Sequence, residues 1–290
     1  MRVLYSFIEV HQQAYPVQLL CSTLQLSRSC YYAWLSSKSR PWAGFSAKAE
    51  ALATTFHRHK RRYGARRLVA ELQEQGLAVS YYLTRKLMRE QGLKAIQPRS
   101  FIPRTTNSRH PYAISPNLLQ GLPPPVKLNQ VWVGDITYIP LKGSCWAYLA
   151  VWMDLCSRKI VGWCLEEHMR EELVLEALQK ALFRRKPAQG MVLHSDRGGQ
   201  YAGRRFRYAL GRHQLRQSMS RADDPYDNAF MESFFSRFKA ELLQGGVFDS
   251  VEDARTEVFE YIEMYYNPIR KHSSLGYKSP ARFEQEKVGS

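Results

Sequence analysis

Three acidic side chains in the second half of the chain stand in surroundings that do not suit idle carboxylates. Asp135 lies inside a run of β-formers, Val-Gly-Asp-Ile-Thr-Tyr. Burial in such a strand is costly for a carboxylate unless it is paired or metal-bound. Asp196 closes a short apolar run and is followed by Arg197-Gly198-Gly199. A carboxylate at the C-terminal edge of a strand occupies the position where α/β sheets place ligands, and glycines there let a bulky ligand approach the backbone. Glu232 falls in a helical pattern. At about 100° per residue, Ser236 and Lys239 share its stripe, while Met231, Phe235, Phe238 and Leu242 form a separate apolar one. The helix can bury its aromatics and still present Glu232 with Lys239 at the edge of a site. Taken alone, that pair reads as a solvated helix face.

The elements that must position these residues follow from periodicity. Val131–Leu141, Trp146–Leu155 and Lys159–Glu166 are expected as an antiparallel meander, with a Lys142-Gly143-Ser144 turn after the first strand. A helix is expected over Glu171–Arg185, a short buried strand over Met191–His194, then a helix and a strand over Leu215–Met219. Helices at about 228–243 and 251–266 complete this part, the last capped by Ser250 with Asp253. Upstream the pattern is helical. Pro16–Leu24 and a helix capped by Ser27 make one helix-turn-helix pattern. Ala65–Gln75, stopped by Gly76, and Tyr81–Gln91, capped by Ser80 and followed by Gly92, make a second. The expected organisation is a helical segment over 1–45, a helix-turn-helix domain over 46–95, a linker over 96–130 and a mixed α/β unit over 131–290. The linker holds seven prolines and no acid. It reads as an extended basic stretch, lying along DNA or serving as a spacer.

Charge separates the halves. Residues 1–130 carry 19 Lys/Arg against 5 Asp/Glu, whereas residues 131–290 carry 23 against 21. A regional excess of this size points to a polyanion partner, nucleic acid first. In the second helix-turn-helix, Tyr81, Tyr82, Thr84 and Arg85 are the residues expected to meet bases or phosphates. Arg58, Lys60, Arg61, Arg62, Arg66 and Arg67 are expected on the DNA backbone. Five cysteines at unrelated spacings, without a C-x-x-C pair, indicate neither a disulfide framework nor zinc. No apolar run suits a membrane span or a signal peptide, so a cytoplasmic location is expected.

Asp196 and Glu232 are separated by 35 residues, and Lys239 follows the glutamate by seven. With that spacing, the core resembles the retroviral-integrase superfamily. More closely, the chain resembles the second-frame products of bacterial insertion sequences that use two reading frames. The segments carrying the resemblance are Trp132-Val-Gly-Asp-Ile-Thr-Tyr, His194-Ser-Asp-Arg-Gly-Gly-Gln-Tyr, Ser218-Met-Ser, Tyr226-Asp-Asn-Ala, Glu232-Ser-Phe-Phe, Lys239-Ala-Glu-Leu and Tyr266-Asn-Pro-Ile-Arg-Lys-His-Ser-Ser-Leu-Gly-Tyr-Lys-Ser-Pro. Tyr63-Gly-Ala-Arg-Arg adds an N-terminal match. The family's usual glycine just before the Asp-Asn pair is absent from Arg221-Ala-Asp-Asp-Pro-Tyr-Asp-Asn.

The resemblance implies an α/β fold with a ribonuclease H-like catalytic core. That core is a five-stranded mixed sheet with helices on both faces, preceded by all-α helix-turn-helix segments. It implies a transposase that nicks 3′ ends and transfers strands, with Asp135, Asp196 and Glu232 as catalytic metal ligands for two Mg2+ or Mn2+ ions and no zinc. Lys239 is expected on a phosphate, and Arg270, Lys271 and His272 on DNA. His194 and Asn228 either orient ligands or DNA or are structural, while Trp132, Thr137 and Tyr138 are expected in packing. The implied partners are double-stranded DNA (terminal inverted repeats and target), the upstream-frame product and further copies of the chain, acting at the bacterial nucleoid. Two other readings stay open at this point: a nuclease that joins nothing, and a DNA-binding regulator of transposition.

Overall fold

The structure, a computed structural model, describes residues 2–39, 43–98, 111–221, 229–244 and 246–289. It forms two compact units, residues 1–94 and 95–290. The first is all-helical: α1 (Arg2–His11), α2 (Val17–Thr23), α3 (Arg28–Ser39), α4 (Ala43–Arg58), α5 (Ala65–Glu74) and α6 (Tyr81–Glu90). Helices α1 to α3 close over Tyr5, Ile8, Cys21 and Tyr31. Helices α4, α5 and α6 touch one another, and Leu52, Phe56, Leu68, Leu72 and Leu87 are buried. Ser80 Oγ accepts from Leu83 N at 3.2 Å, the expected N-cap of α6. The helix-turn-helix pair therefore has a third helix, α4. Its Ala- and Thr-rich sequence offers few large apolar residues at helical spacing, so periodicity alone does not mark it.

The second unit is built on a five-stranded sheet: β1 (Val131–Pro140), β2 (Trp146–Asp154), β3 (Ile160–Glu166), β4 (Val192–Ser195) and β5 (Arg216–Met219). The spatial order is β3-β2-β1-β4-β5. The first three strands are the expected antiparallel meander, whereas β4 pairs parallel with β1, and β5 parallel with β4. Mixed pairing follows from the connections. Tight turns join β1 to β2 and β2 to β3, and helical crossovers join the rest. One face carries α7 (Glu171–Arg185), α8 (Gly199–Ala202) and α9 (Arg204–Arg212), packed on Trp132, Trp152 and Leu193. The other carries α10 (Ala229–Leu242) and α11 (Val251–Phe259), packed on Val131, Val133 and Val151. The chain continues from α11 through π-helical turns at Glu260–Tyr266. It ends in α12 (Pro280–Val288), which periodicity in the sequence does not separate from the tail. Ser250 Oγ accepts from Asp253 N at 3.1 Å, as its capping pattern requires.

The proline-rich stretch is not wholly a spacer. Residues 115–118 lie against the outer edge of β5. Pro116 O accepts from Met219 N at 3.4 Å, and Ser218 Oγ accepts from Leu118 N at 2.9 Å. This correction to the linker expectation has a simple cause. β5 is the sheet edge, and its free backbone groups need partners.

Candidate active site

The parallel register of β1 and β4 sets Gly134 opposite Ser195. Asp135 and Asp196 are the next residues on the two strands. Carrying the register one step further puts them side by side, about 4.8 Å apart across the sheet. Alternation gives the direction. Val131 and Val133 belong to the α10 side and Trp132 to the α7 side, so Asp135 falls on the α10 side. Val192 packs to the same side and Leu193 to the other, so His194 and Asp196 follow Val192. Each aspartate is half-buried. Asp135 Oδ1 accepts from Ile136 N at 2.8 Å, and Asp196 Oδ1 from Gly198 N at 2.9 Å.

Aromatic side chains support this pair from behind. The Trp152 ring lies on Gly134, where an added Cβ would come within 2.5 Å of it, so only glycine fits beside Asp135. Tyr201 stands edge-on to Trp152 at 5.7 Å between ring centroids. Its hydroxyl is buried and has no hydrogen-bond partner among the described residues. Burial pushes the Tyr201 pKa well above the ordinary tyrosine value, and the charges of Asp135 and Asp196 push it further the same way. Neither Trp152 nor Tyr201 stands out in the sequence, where each is one aromatic among many.

Helix α10 brings the third acid and the lysine. Phe234, Phe235 and Phe238 are buried toward the sheet. Lys239 is half-buried, and burial lowers its pKa while the negative charge of Asp135 works against that shift. Glu232 lies in the first turn of α10 with an exposed side chain. The three carboxylates do not all come within 4.8 Å of one another. Among the described residues only Cys164, Glu166 and Glu176 form so tight a trio of possible donors. That trio is centred on β3, two strands from Asp135. The Cys164 thiol, pushed up to about 12 chiefly by burial, donates to Glu176 Oε2 at 3.2 Å.

Several expected DNA contacts are buried instead. Arg270 is 2% exposed and donates from Nε and Nη2 to both oxygens of Glu241, at 2.9 and 2.6 Å. Tyr261 completes that network from its hydroxyl. Lys271 is 5% exposed. Both lie in the segment that returns under α10, so their charges are committed to the interior. His194 is fully buried on β4, and its Nδ1 shares a 2.8 Å hydrogen bond with Ser218 Oγ on β5. Thr84 is also fully buried, one turn before Leu87 on the inward face of α6. These four are not surface groups. Asn228 lies outside the described residues.

The other helix-turn-helix candidates remain at the surface in varying degree. Tyr81, Tyr82 and Arg85 are exposed at the start of α6, with the guanidinium of Arg85 5.7 Å and that of Arg66 5.9 Å from the Tyr81 ring centroid. Lys60, Arg61 and Arg66 are exposed, and Arg62 and Arg67 half-buried. Arg58 is exposed but donates to Glu71 Oε1 at 2.7 Å.

Comparison with known proteins identifies both units. Models described as integrase core domains match residues 125–225 and 213–280, and a model of an HTH-like domain matches 46–101. The chain is 40% identical over 287 residues to the transposase InsF for insertion sequence IS3A of Escherichia coli strain K12, covering 98% of this chain and 99% of that one. It is also 40% identical over 237 residues to the transposase for insertion sequence element IS904 of Lactococcus lactis subsp. lactis strain IL1403, covering 82% and 93%. Among solved structures it is similar to the simian T-cell lymphotropic virus intasome in complex with PP2A regulatory subunit B56 gamma, with TM-score 0.46, 15% identity, and 80% of this chain and 73% of that chain covered. It is likewise similar to the HTLV-2 integrase catalytic core domain in complex with magnesium, with TM-score 0.42, 15% identity, and 57% and 99% covered. The near-full-length identity, the two domain matches and the mixed five-stranded sheet agree: the chain belongs to the IS3-type insertion-sequence transposases, polynucleotidyl transferases of the DDE kind with a ribonuclease H-like integrase core.

Proposed function

We propose that Asp135, Asp196 and Glu232 together hold two divalent cations, Mg2+ or Mn2+, at which the chain nicks the 3′ ends of its element and joins them to target DNA. The observation that carries this reading is the pairing of Gly134 with Ser195, which brings the next residues, Asp135 and Asp196, together on one face, with Lys239 close enough for its charge to feel Asp135. The donor set fits such ions, because it is all carboxylate oxygen, which hard cations prefer. Glu232 completes the set from α10, and closing the three acids around shared ions requires the start of that helix or its side chain to move inward.

When bound, the ions supply charge at the scissile phosphate and lower the pKa of water. The residues of the chain do the rest. Asp135 and Asp196 fix the site at the end of β4 and the adjacent part of β1, and Lys239 steadies a phosphate as a point charge. In nicking, water attacks phosphorus, the P–O3′ bond breaks, and a 3′-hydroxyl and a 5′-phosphate result. In joining, that 3′-hydroxyl attacks a target phosphodiester and a new P–O bond replaces the one broken. The number of phosphodiester bonds is conserved in joining, so neither ATP nor a covalent protein–DNA link is needed. The HTH-like region, with Tyr81, Tyr82 and Arg85 at the start of α6 and the basic run before α5, is assigned to the element's inverted repeats. Oligomers on DNA and association with the upstream-frame product at the bacterial nucleoid belong to the same reading.

The test is replacement of each acid by its amide. Asp135→Asn, Asp196→Asn and Glu232→Gln should each abolish both nicking and joining of oligonucleotide ends, and leave gel-shift affinity for those ends within about twofold, since no group that binds phosphate is removed. Mg2+-dependent joining that survives in any of the three removes that residue from the catalytic set.

A further inference from the structure

Residues 197–221 carry seven arginines, one histidine and no acid, while the remainder of 131–290 carries 16 basic and 21 acidic residues. The near neutrality of the catalytic unit thus averages one strongly basic segment against an acidic rest. That segment begins at the loop behind Asp196 and comprises α8, α9 and β5. In α9, Phe206 and Leu210 are buried against the sheet. Arg204, Tyr208 and Arg212 recur at i, i+4 and i+8, which places their stripe on the opposite side of the helix. All three are exposed, Tyr208 to 70%. Neighbouring arginines already have partners at the surface: Arg205 pairs with Glu172, and Arg207 donates to Ala113 O. The stripe itself holds two guanidinium groups around one exposed aromatic ring, with Arg216 exposed at the start of the adjoining strand.

We infer that this stripe seats the sugar-phosphate backbone of the target duplex. Arg204 and Arg212 lie eight residues apart, about 12 Å along the helix, a span of three to four phosphates at about 3.4 Å of rise per phosphate on one strand. Guanidinium groups grip phosphate oxygens in pairs, and a tyrosine between them can pack on deoxyribose and donate to phosphate. The stripe has no Asn or Gln to read adenine, and arginines spent on phosphates carry no sequence information. A surface of this kind binds DNA without regard to sequence, which suits a target rather than the element's own ends. As part of the crossover from β4 to the parallel strand β5, α9 starts at the edge of the sheet where β4 ends in Ser195 and Asp196, so a duplex over Arg204 reaches that edge from the α7 side. The target assignment rests on the transposase reading above, whereas the affinity for a DNA backbone does not.

The experiment uses the full chain with Arg204→Ala combined with Arg212→Ala, and Tyr208→Ala separately. Arg255→Ala combined with Arg282→Ala serves as a control that removes the same charge from other exposed positions, 45% and 53% open to solvent. Binding of a fluorescent random-sequence duplex is followed by anisotropy across a salt series. The α9 double variant should make the slope of log K against log salt shallower by about 2, close to one for each phosphate left without its arginine, with the control unchanged. In joining assays with pre-nicked ends, its KM for target DNA should rise about tenfold, Tyr208→Ala should raise KM to a lesser degree, and nicking should keep its rate. A slope equal to that of the control overturns the surface. Equal losses of nicking and joining move the stripe to the element ends and overturn the target assignment. A wild-type chain that nicks and joins nothing defeats the transposase reading instead, and the salt slope still decides the surface.

Discussion

Tyr201 shows how a single side chain reports on a site. A buried hydroxyl without a partner costs about 1–3 kcal/mol, so proteins rarely keep one for packing alone. Trp152 and Phe206 would hold a phenylalanine in the same place, the former edge-on and the latter at a centroid distance of 5.6 Å. Tyr201→Phe should therefore raise the stability of the ion-free chain by about 1 kcal/mol. Thermal melts of both proteins in ion-free buffer check this. A less stable phenylalanine variant in ion-free buffer would show that the hydroxyl is already partnered. The acids themselves are legible in the sequence because each breaks a local pattern: Asp135 in an apolar strand, Asp196 at a strand's end, Glu232 off the aromatic stripe of its helix. Tyr201 breaks none, since an aromatic residue in a core is the ordinary case.

At the scale of elements, the meander, α7 and α10 are readable because each holds a long apolar period, and their observed limits fall within one or two residues of those expected. The C-terminal segment misleads because its charges look exposed in sequence. Arg270 sits among polar neighbours in Asn-Pro-Ile-Arg-Lys-His, and only tertiary pairing with Glu241 takes it inside. A second ion network fixes α12. Glu284 receives Arg185 Nη1 and Nη2 at 2.8 and 2.5 Å, Lys159 Nζ at 2.9 Å and Ser157 Oγ at 2.8 Å. Burial alone would raise the Glu284 pKa, but the hydrogen bonds from Arg185 and Lys159 outweigh it and hold the carboxyl below its usual 4.5. The folded state therefore binds this proton less readily than the unfolded one. The stabilisation is present in full above about pH 4.5 and fades as pH falls through the lowered folded value. Glu284→Gln should cost about 2 kcal/mol at pH 7 and flatten the acid limb of stability between about pH 5 and 3, as read by urea unfolding. An unchanged acid limb would assign the loss to other carboxylates.

For the molecule as a whole, the two compact units each enclose their own apolar clusters, one around Tyr5, Ile8 and Tyr31, the others on the two faces of the sheet. Chains built this way seldom melt as one cooperative body. Scanning calorimetry should give a calorimetric enthalpy well above the van't Hoff value, and equality of the two would mean that the units unfold together. The strong positive charge of residues 1–130 is plain in the sequence, whereas the basic segment after Asp196 is hidden by an average over residues 131–290. Only the placement of Phe206 and Leu210 inward shows which of its arginines reach water.

The pairing of Gly134 with Ser195 constrains how this enzyme can change length. Residues gained or lost in the exposed turn between α7 and β4, at 186–190, leave the rungs where they are. One residue inserted within β1 before Asp135, or within β4 before Asp196, would turn the carboxylate to the α7 side of the sheet, while two would return it to the correct side two rungs out of step. Tolerance of insertions should thus depend on parity inside these two strands and very little on length in the exposed turn between α7 and β4.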